Sequence, residues 1–333
     1  MPYKDGQRAV RVVVRCVCAA LPVWLLFVAG ASAQPRSLAH VGSIPGPVSL
    51  LEADDRFLIT GAGTSVRVID LSAVDGPAVV GDYDFAEAVL GLALEGNSAY
   101  VANSHDGLRR LALSTSTAPV LAGSSPTRGQ AAGVATYGTH AFVADNSLGF
   151  DIVRTTEGLA RVGEYLADGF PRGIDAIGAL VLVADAPAGL IVVDTSTPQT
   201  PAVIGRLSLG SDPITGVVVP HSEPGDPTAT LAGVTSRRAG LQIVDLSNPS
   251  APAITAVVAT QSPPRSVAMH GRLLYVVSEG RLETFDLKDP ARPTLVAVQT
   301  VSDSAGAVAV NNSLVFVGSP DDLVIFRRPQ LSN

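Results

Sequence analysis

From residue 37 onward the chain is a succession of short β-branched and apolar runs, separated by Gly, Pro, Asn, Asp and Ser. Such runs predict strands, and none carries the three-to-four-residue apolar spacing of an amphipathic helix. The runs come in sets of four: "SVAMHG", "LLYVVS", "LETFDL" and "PTLVAVQTV" follow one another between residues 266 and 301. The third run of each set ends at Asp70, Ala112, Arg154, Asp194, Asp245, Asp286 and Arg327, at separations of 42, 42, 40, 51, 41 and 41 residues. A repeat of about 40–45 residues holding four strands has the size of a propeller blade. Seven of them predict an all-β, seven-bladed β-propeller of four-stranded antiparallel blades, a single domain over residues 34–333.

Two residue types punctuate each unit. Gly107, Gly149, Gly189 and Gly240 end the turn between second and third strands, where a positive φ is often needed. The Asp at the end of the third strand can accept hydrogen bonds from backbone N–H groups two residues on. Seven residues after that position stand Pro77, Pro119, Pro201, Pro252 and Pro293. Proline opens an edge strand without cost to a ladder and discourages edge-to-edge pairing. The seventh unit stops after its third strand, "DLVIFRRP", whereas the segment "SLAHVGSI" (37–44) resembles a fourth strand without a blade. The N-terminal strand is therefore expected to complete the last blade and close the ring.

The strands "LIVVD", "LQIVD" and "VRVID", with the following "DLSNPSAP"-type turn, resemble the LVIVD repeat family of secreted or surface-associated prokaryotic proteins. The resemblance spans about 37–328 and implies a β-propeller. It implies no catalytic residues. Ala112, Arg154 and Arg327 stand where the motif has Asp, without disturbing the spacing.

The first residues form a different pattern. Lys4, Arg8, Arg11 and Arg15 precede the apolar "CVCAALPVWLLFVAG", which ends at Ala31-Ser32-Ala33. A basic start, a short apolar run and a small-x-small site predict a Sec-type signal peptide over 1–33, with a secreted, periplasmic or cell-surface destination. An uncleaved N-terminal anchor is the alternative. Cys16 and Cys18 lie at the start of the apolar run, which does not suit a lipoprotein site. Processing would remove both cysteines and Trp24, leaving no disulfide or thiolate ligand. The net charge would fall from −7 to −10, with Lys288 as the one remaining Lys. So acidic a chain, without a basic run, is unsuited to nucleic acid or an anionic membrane. No membrane span is expected after signal removal.

Motifs for catalysis and metal binding are missing from the sequence. There is no G-x-S-x-G, H-E-x-x-H, G-x-x-x-x-G-K or EF-hand loop, and the five His residues are scattered over different units. Candidates come instead from loops that a propeller gathers on one face, those entering the first strand and those joining the second to the third. They offer Arg128, Arg172, Asp212, Arg265 and Asp303, and Asp106, Asp145, Asp185, Arg237, Arg238, Glu279, Asp321 and Asp322. An ordinary solvated rim is one reading. The other is that Arg172 and Arg265 hold an acidic group by forked hydrogen bonds, with Asp212, Arg237 and Arg238 nearby. Asp175 stands in an innermost strand where other units have Ala93, Ala135, Ala268 and Ala309. A carboxylate there needs a partner or water. The longest unit carries an insertion, "PHSEPGDPTATL" (220–231), whose His221, Glu223 and Asp226 suit a solvated loop better than a cation site.

These readings lead to an exported, non-enzymatic propeller, expected as a monomer, that binds a protein or cell-envelope partner and carries no cofactor or metal. Two alternatives stay open: a hydrolase or lyase with its site at the channel mouth, and a small-ligand or glycan-binding propeller. The second is short of stacking surface, because removal of residues 1–33 leaves no Trp.

Overall fold

The computed structural model describes residues 35–146, 148–167, 169–186, 188–209, 214–220, 230–236 and 238–330, without the side chains of Arg172, Ala186, Ile214 and Thr215. The expected signal segment, Asp212, Arg237 and most of the 220–231 insertion lie outside the described residues.

Twenty-eight strands form seven four-stranded antiparallel sheets among the described residues. The first strand of the chain is β1 (His40–Pro45). Blade 1 is β2–β5 (Leu50–Ala53, Phe57–Ala62, Ser65–Asp70, Ala78–Asp84) and blade 2 is β6–β9 (Gly91–Glu95, Ser98–Ala102, Leu108–Ala112, Val120–Ser125). Blade 3 is β10–β13 (Ala131–Tyr137, His140–Asp145, Gly149–Arg154, Ala160–Leu166) and blade 4 is β14–β17 (Phe170–Ile177, Leu180–Ala186, Gly189–Asp194, Ala202–Leu207). Blade 5 is β18–β21 (Ile214–Val218, Leu231–Ser236, Gly240–Asp245, Ala253–Val258) and blade 6 is β22–β25 (Ser266–His270, Leu273–Ser278, Arg281–Asp286, Thr294–Thr300). Blade 7 is β26–β28 (Ala307–Val310, Leu314–Gly318, Asp322–Arg327), completed by β1. The innermost strands touch in sequence, and β26 returns to β2.

Each sheet has two apolar faces because it is sandwiched between two others. In blade 3, Phe142, Ala144, Phe150 and Ile152 pack toward Val181, Val183, Ile191 and Val193 of blade 4. The alternate residues Ala141, Val143 and Val153 pack toward Tyr100, Ala102 and Leu108 of blade 2. Seven such clusters fill the seven gaps between blades. Period-2 alternation with both faces buried makes strand runs almost continuously apolar, as the sequence shows.

All seven repeat positions end a third strand. Asp70, Asp194, Asp245 and Asp286 each accept a backbone N–H two residues on through Oδ1, from Ser72, Ser196, Ser247 and Lys288 at 2.8, 2.8, 2.7 and 2.9 Å. Replacement of one such Asp removes one turn bond and little packing. Asp194→Ala is expected to cost about 1 kcal/mol, read as a lower urea midpoint with an unchanged denaturant slope.

The turn has a second task that joins one blade to the next. In blades 1 to 6 the ladder between third and fourth strands shifts by one residue, a bulge such as that between Val192 and Val193 opposite Val203 and Gly205. The fourth strand thereby bends toward the neighbouring blade's turn. Gly81 lies against Ala118, and Gly123 against Leu159. The backbones of Gly163 and Gly205 press on the carbonyls of Pro198 and Pro249, leaving no room for a Cβ. In blades 1, 3 and 4 this Gly thus docks on the Pro-containing turn of the next blade, and in blade 2 it docks on Leu159 of a turn without Pro.

Blade 7 takes its fourth strand, β1, from ahead of blade 1, so no turn of this kind joins β28 to it. The N-terminal segment takes its place. Before pairing along β28, it lays Arg36 beside Ala297 of blade 6 in a parallel bridge. The Arg36 N–H donates to Val296 O at 3.0 Å, and Arg36 O accepts from Val298 N–H at 2.9 Å. Leu38 is buried between blades 6 and 7 with Phe326 and Ala297. The closing segment therefore begins at Arg36 and reaches two blades, whereas the sequence predicted one strand over 37–44.

Candidate binding site

The innermost strands surround an axial cavity of about 1020 Å³. Its wall is aliphatic, with Leu92, Val134, Ile174, Val217 and Val308 among its members. At the level of the turns between first and second strands the lining becomes polar, with Asp54, Asp55, Glu95, His270, Asn311 and Asn312. Glu52 and Asp175 add two more carboxylates. Neither Lys nor Arg lines the cavity among the described residues, so the formal charges on its lining are carboxylates.

Several of these groups also serve the scaffold. Asp175 Oδ2 accepts the Val219 N–H of blade 5 at 2.8 Å, and Oδ1 accepts the Ala176 N–H at 2.8 Å. Asp54 caps the turn before β3, taking the N–H groups of Arg56 and Phe57. Asp55 holds both the backbone and side-chain amide of Asn312, which ties blade 1 to blade 7.

Arg328 sits below this mouth and was not singled out in the sequence. Its Nε donates to Tyr275 Oη at 3.1 Å, and Nη1 donates to Asn311 O and Asn312 O, each at 3.0 Å. Nη1 also lies 3.1 Å from His270 Nδ1. Burial pushes the Tyr275 hydroxyl above its ordinary pKa, opposed by the Arg328 charge. The side chain binds the segment after β28 to blade 6.

The candidate loops on the opposite face have a different fate. Arg265 directs Nη1 at the carbonyls of Asp303 and Ala305, which cap the connection from blade 6 to blade 7. Arg172 is the extra residue of a bulge in β14, between Pro171 and Gly173. Arg238 is exposed in the turn between β19 and β20. Of the six candidate binding residues, Asp175 is the one that lines the axial cavity among the described residues. Other charges of this face are drawn into ion pairs on blade 3. Asp151 is wholly buried, with Oδ1 3.3 Å from Arg128 Nε and 3.2 Å from Arg161 Nη1. Burial raises its pKa, against the pull of the two guanidinium groups. Glu164 accepts from the same two arginines at 3.3 and 3.0 Å.

This face also keeps three large apolar side chains exposed. Leu148, Leu166 and Phe170 are 37, 60 and 57% exposed. Leu148 and Leu166 are adjacent, since Leu148 O accepts the Ala167 N–H at 3.3 Å, and Phe170 opens the next blade. On the same face, Ser104 has φ 50° and its Oγ lies 3.2 Å from His105 Nδ1. Glu87 Oε2 lies 3.8 Å from that same nitrogen. A nucleophile relay needs the two partners on different ring nitrogens, so this trio does not form one. Among the described residues no three His, Cys, Asp or Glu side chains converge at metal-binding distance.

The repeated unit is thus four strands, an Asx or related turn, and a fourth strand bent onto the next blade. The LVIVD repeat family matches residues 88–127, 128–153, 169–208 and 233–260. This chain carries LVIVD repeats. The match over 88–127 includes Ala112, and the match over 128–153 stops one residue before Arg154. The fold is similar to the β-propeller domain of Myceliophteria thermophila Cps50 (Swd1), at 14% identity and a TM-score of 0.70, covering 86% of this chain and 99% of that one. It is also similar to the computationally designed Ika8 protein, at 10% identity and a TM-score of 0.62, covering 88% and 100%. At these identities the likeness shows the fold alone. No curated protein matches the sequence.

Proposed function

We propose that this LVIVD-repeat propeller is an exported, non-catalytic interaction module that engages a protein or cell-envelope partner. The observation that carries the reading is the exposure of three large apolar side chains, Leu148, Leu166 and Phe170, on the face of the 2–3 and 4–1 connections. A rim aromatic flanked by leucines is the kind of anchor that interfaces use, and its exposure has no role in the blade packing described above. The basic and apolar start of the chain, ending in Ala31-Ser32-Ala33, supports export.

The test combines processing with capture. Mass spectrometry of the exported protein should give a chain beginning at Gln34. Crosslinking in native extract should give one reproducible protein adduct. The double variant Leu166→Asp/Phe170→Asp should lose that adduct while keeping its thermal midpoint. An adduct that survives both substitutions rejects this face as the interface. The axial cavity favours a second reading, a small cationic ligand held by the carboxylate-lined mouth. Native mass spectrometry showing a bound amine and no protein adduct would select it.

A further inference from the structure

We propose that His270 and Arg328 form a pH-sensitive latch on the last blade of the propeller. Arg328 Nη1 lies 3.1 Å from His270 Nδ1, and a guanidinium has donors alone. In this contact Nδ1 can only accept, sharing an Nη1 hydrogen with Asn311 O or Asn312 O, so the ring is neutral with its proton on Nε2. A protonated ring has a donor on both nitrogens. It cannot accept from Arg328, and it places a second positive charge against the guanidinium.

The surroundings decide where such a ring would turn. His270 ends β22, whose other residues are uncharged. From β23 comes Tyr275, whose hydroxyl is already bound to Arg328 Nε. From the β22–β23 turn comes Arg272, paired with Asp286 of β24 at 3.1 Å. Blade 7 offers the carbonyls of Asn311 and Asn312, both held by Arg328, and the chain end adds the exposed Arg327. Among the described residues, the opposite charges are those of the cavity that His270 itself lines: Asp54, Asp55, Glu52, Glu95 and Asp175. Protonation thus pushes the ring from the latch and draws it toward the acidic mouth. Arg328 loses one of its acceptors at the point where the segment after β28 is fastened to blade 6. Protonation of His270 and the Nδ1 contact with Arg328 exclude each other, so the latch weakens as the pH falls.

His270→Gln tests this, because the Gln carbonyl can accept from Arg328 and does not titrate. Between pH 7.5 and 5.5 the purified wild-type protein should lose about 2 °C more in thermal midpoint than the variant. Hydrogen exchange in a peptide spanning 322–330, corrected for intrinsic rates, should accelerate about tenfold in wild type alone, the effect of one charge-assisted hydrogen bond. His140, whose pKa is lowered by burial and by Arg154, contributes equally to both proteins and cancels. Equal losses in the two proteins would overturn the proposal. So would a ¹⁵N spectrum of the wild-type imidazole showing Nδ1 protonated at pH 7.5, a readout that stands even if the variant does not fold.

Discussion

A chain lacking residues 35–45 should fail to form a cooperative, monomeric propeller. The deletion removes β1 and the Arg36 bridge to blade 6, and opens the cluster around Leu38 and Phe326. Full burial of a Leu or Ile side chain contributes about 1.5–3 kcal/mol. Buried Leu38, partly buried Ile44, the ladder along β28 and the exposed edge of blade 7 together compare with the entire stability of a domain, about 5–15 kcal/mol. Circular dichroism should show strand content with a broadened thermal transition, and size exclusion should show association. A synthetic peptide of residues 35–45 added in trans should restore the monomer and sharpen the transition. An unchanged monomer with a sharp transition would mean that the ring does not depend on this segment.

The second large effect is expected at a residue without a side chain. Gly163→Ala puts a methyl group where the Pro198 carbonyl oxygen stands, so two blades must separate. Overpacking against backbone, which cannot rotate away, is expected to cost about 3 kcal/mol. Gly42 supplies the control. It follows a bulge in the closing strand, yet nothing lies within 4 Å of its missing Cβ. Gly42→Ala should change stability by less than about 1 kcal/mol. Urea unfolding of the two variants side by side separates blade docking from any general cost of replacing Gly in a bulged strand.

The contrast between these glycines shows what was legible. Position 163 and position 42 both read as Gly in a "VG" pair of a fourth strand. What differs is the next blade's turn, which for position 163 lies 35 residues on, at Pro198, and which position 42 does not meet. The candidate site was legible to a similar depth. Asp175 stood out as a carboxylate among alanines, and it does line the cavity. Arg265 stood out as a loop charge, but its guanidinium is engaged by the carbonyls of Asp303 and Ala305. Arg328 and Phe170 carried no signal, because a charge near a chain end and an aromatic at a strand start are ordinary.

Local chemistry determined the strands, the blade count, the turn-forming Asp residues and the exchange of an N-terminal strand into the last blade. Each of these follows from alternation, spacing or a turn within a few residues, and the repeat reads the same rule seven times. The tertiary structure alone decided which polar groups face the cavity, which fasten one blade to another and which apolar groups remain on the rim. The bonds that make those decisions span 44 residues from Asp175 to Val219 and 58 from Arg328 to His270. Those partners come within bonding distance only when neighbouring blades have packed and the ring has closed.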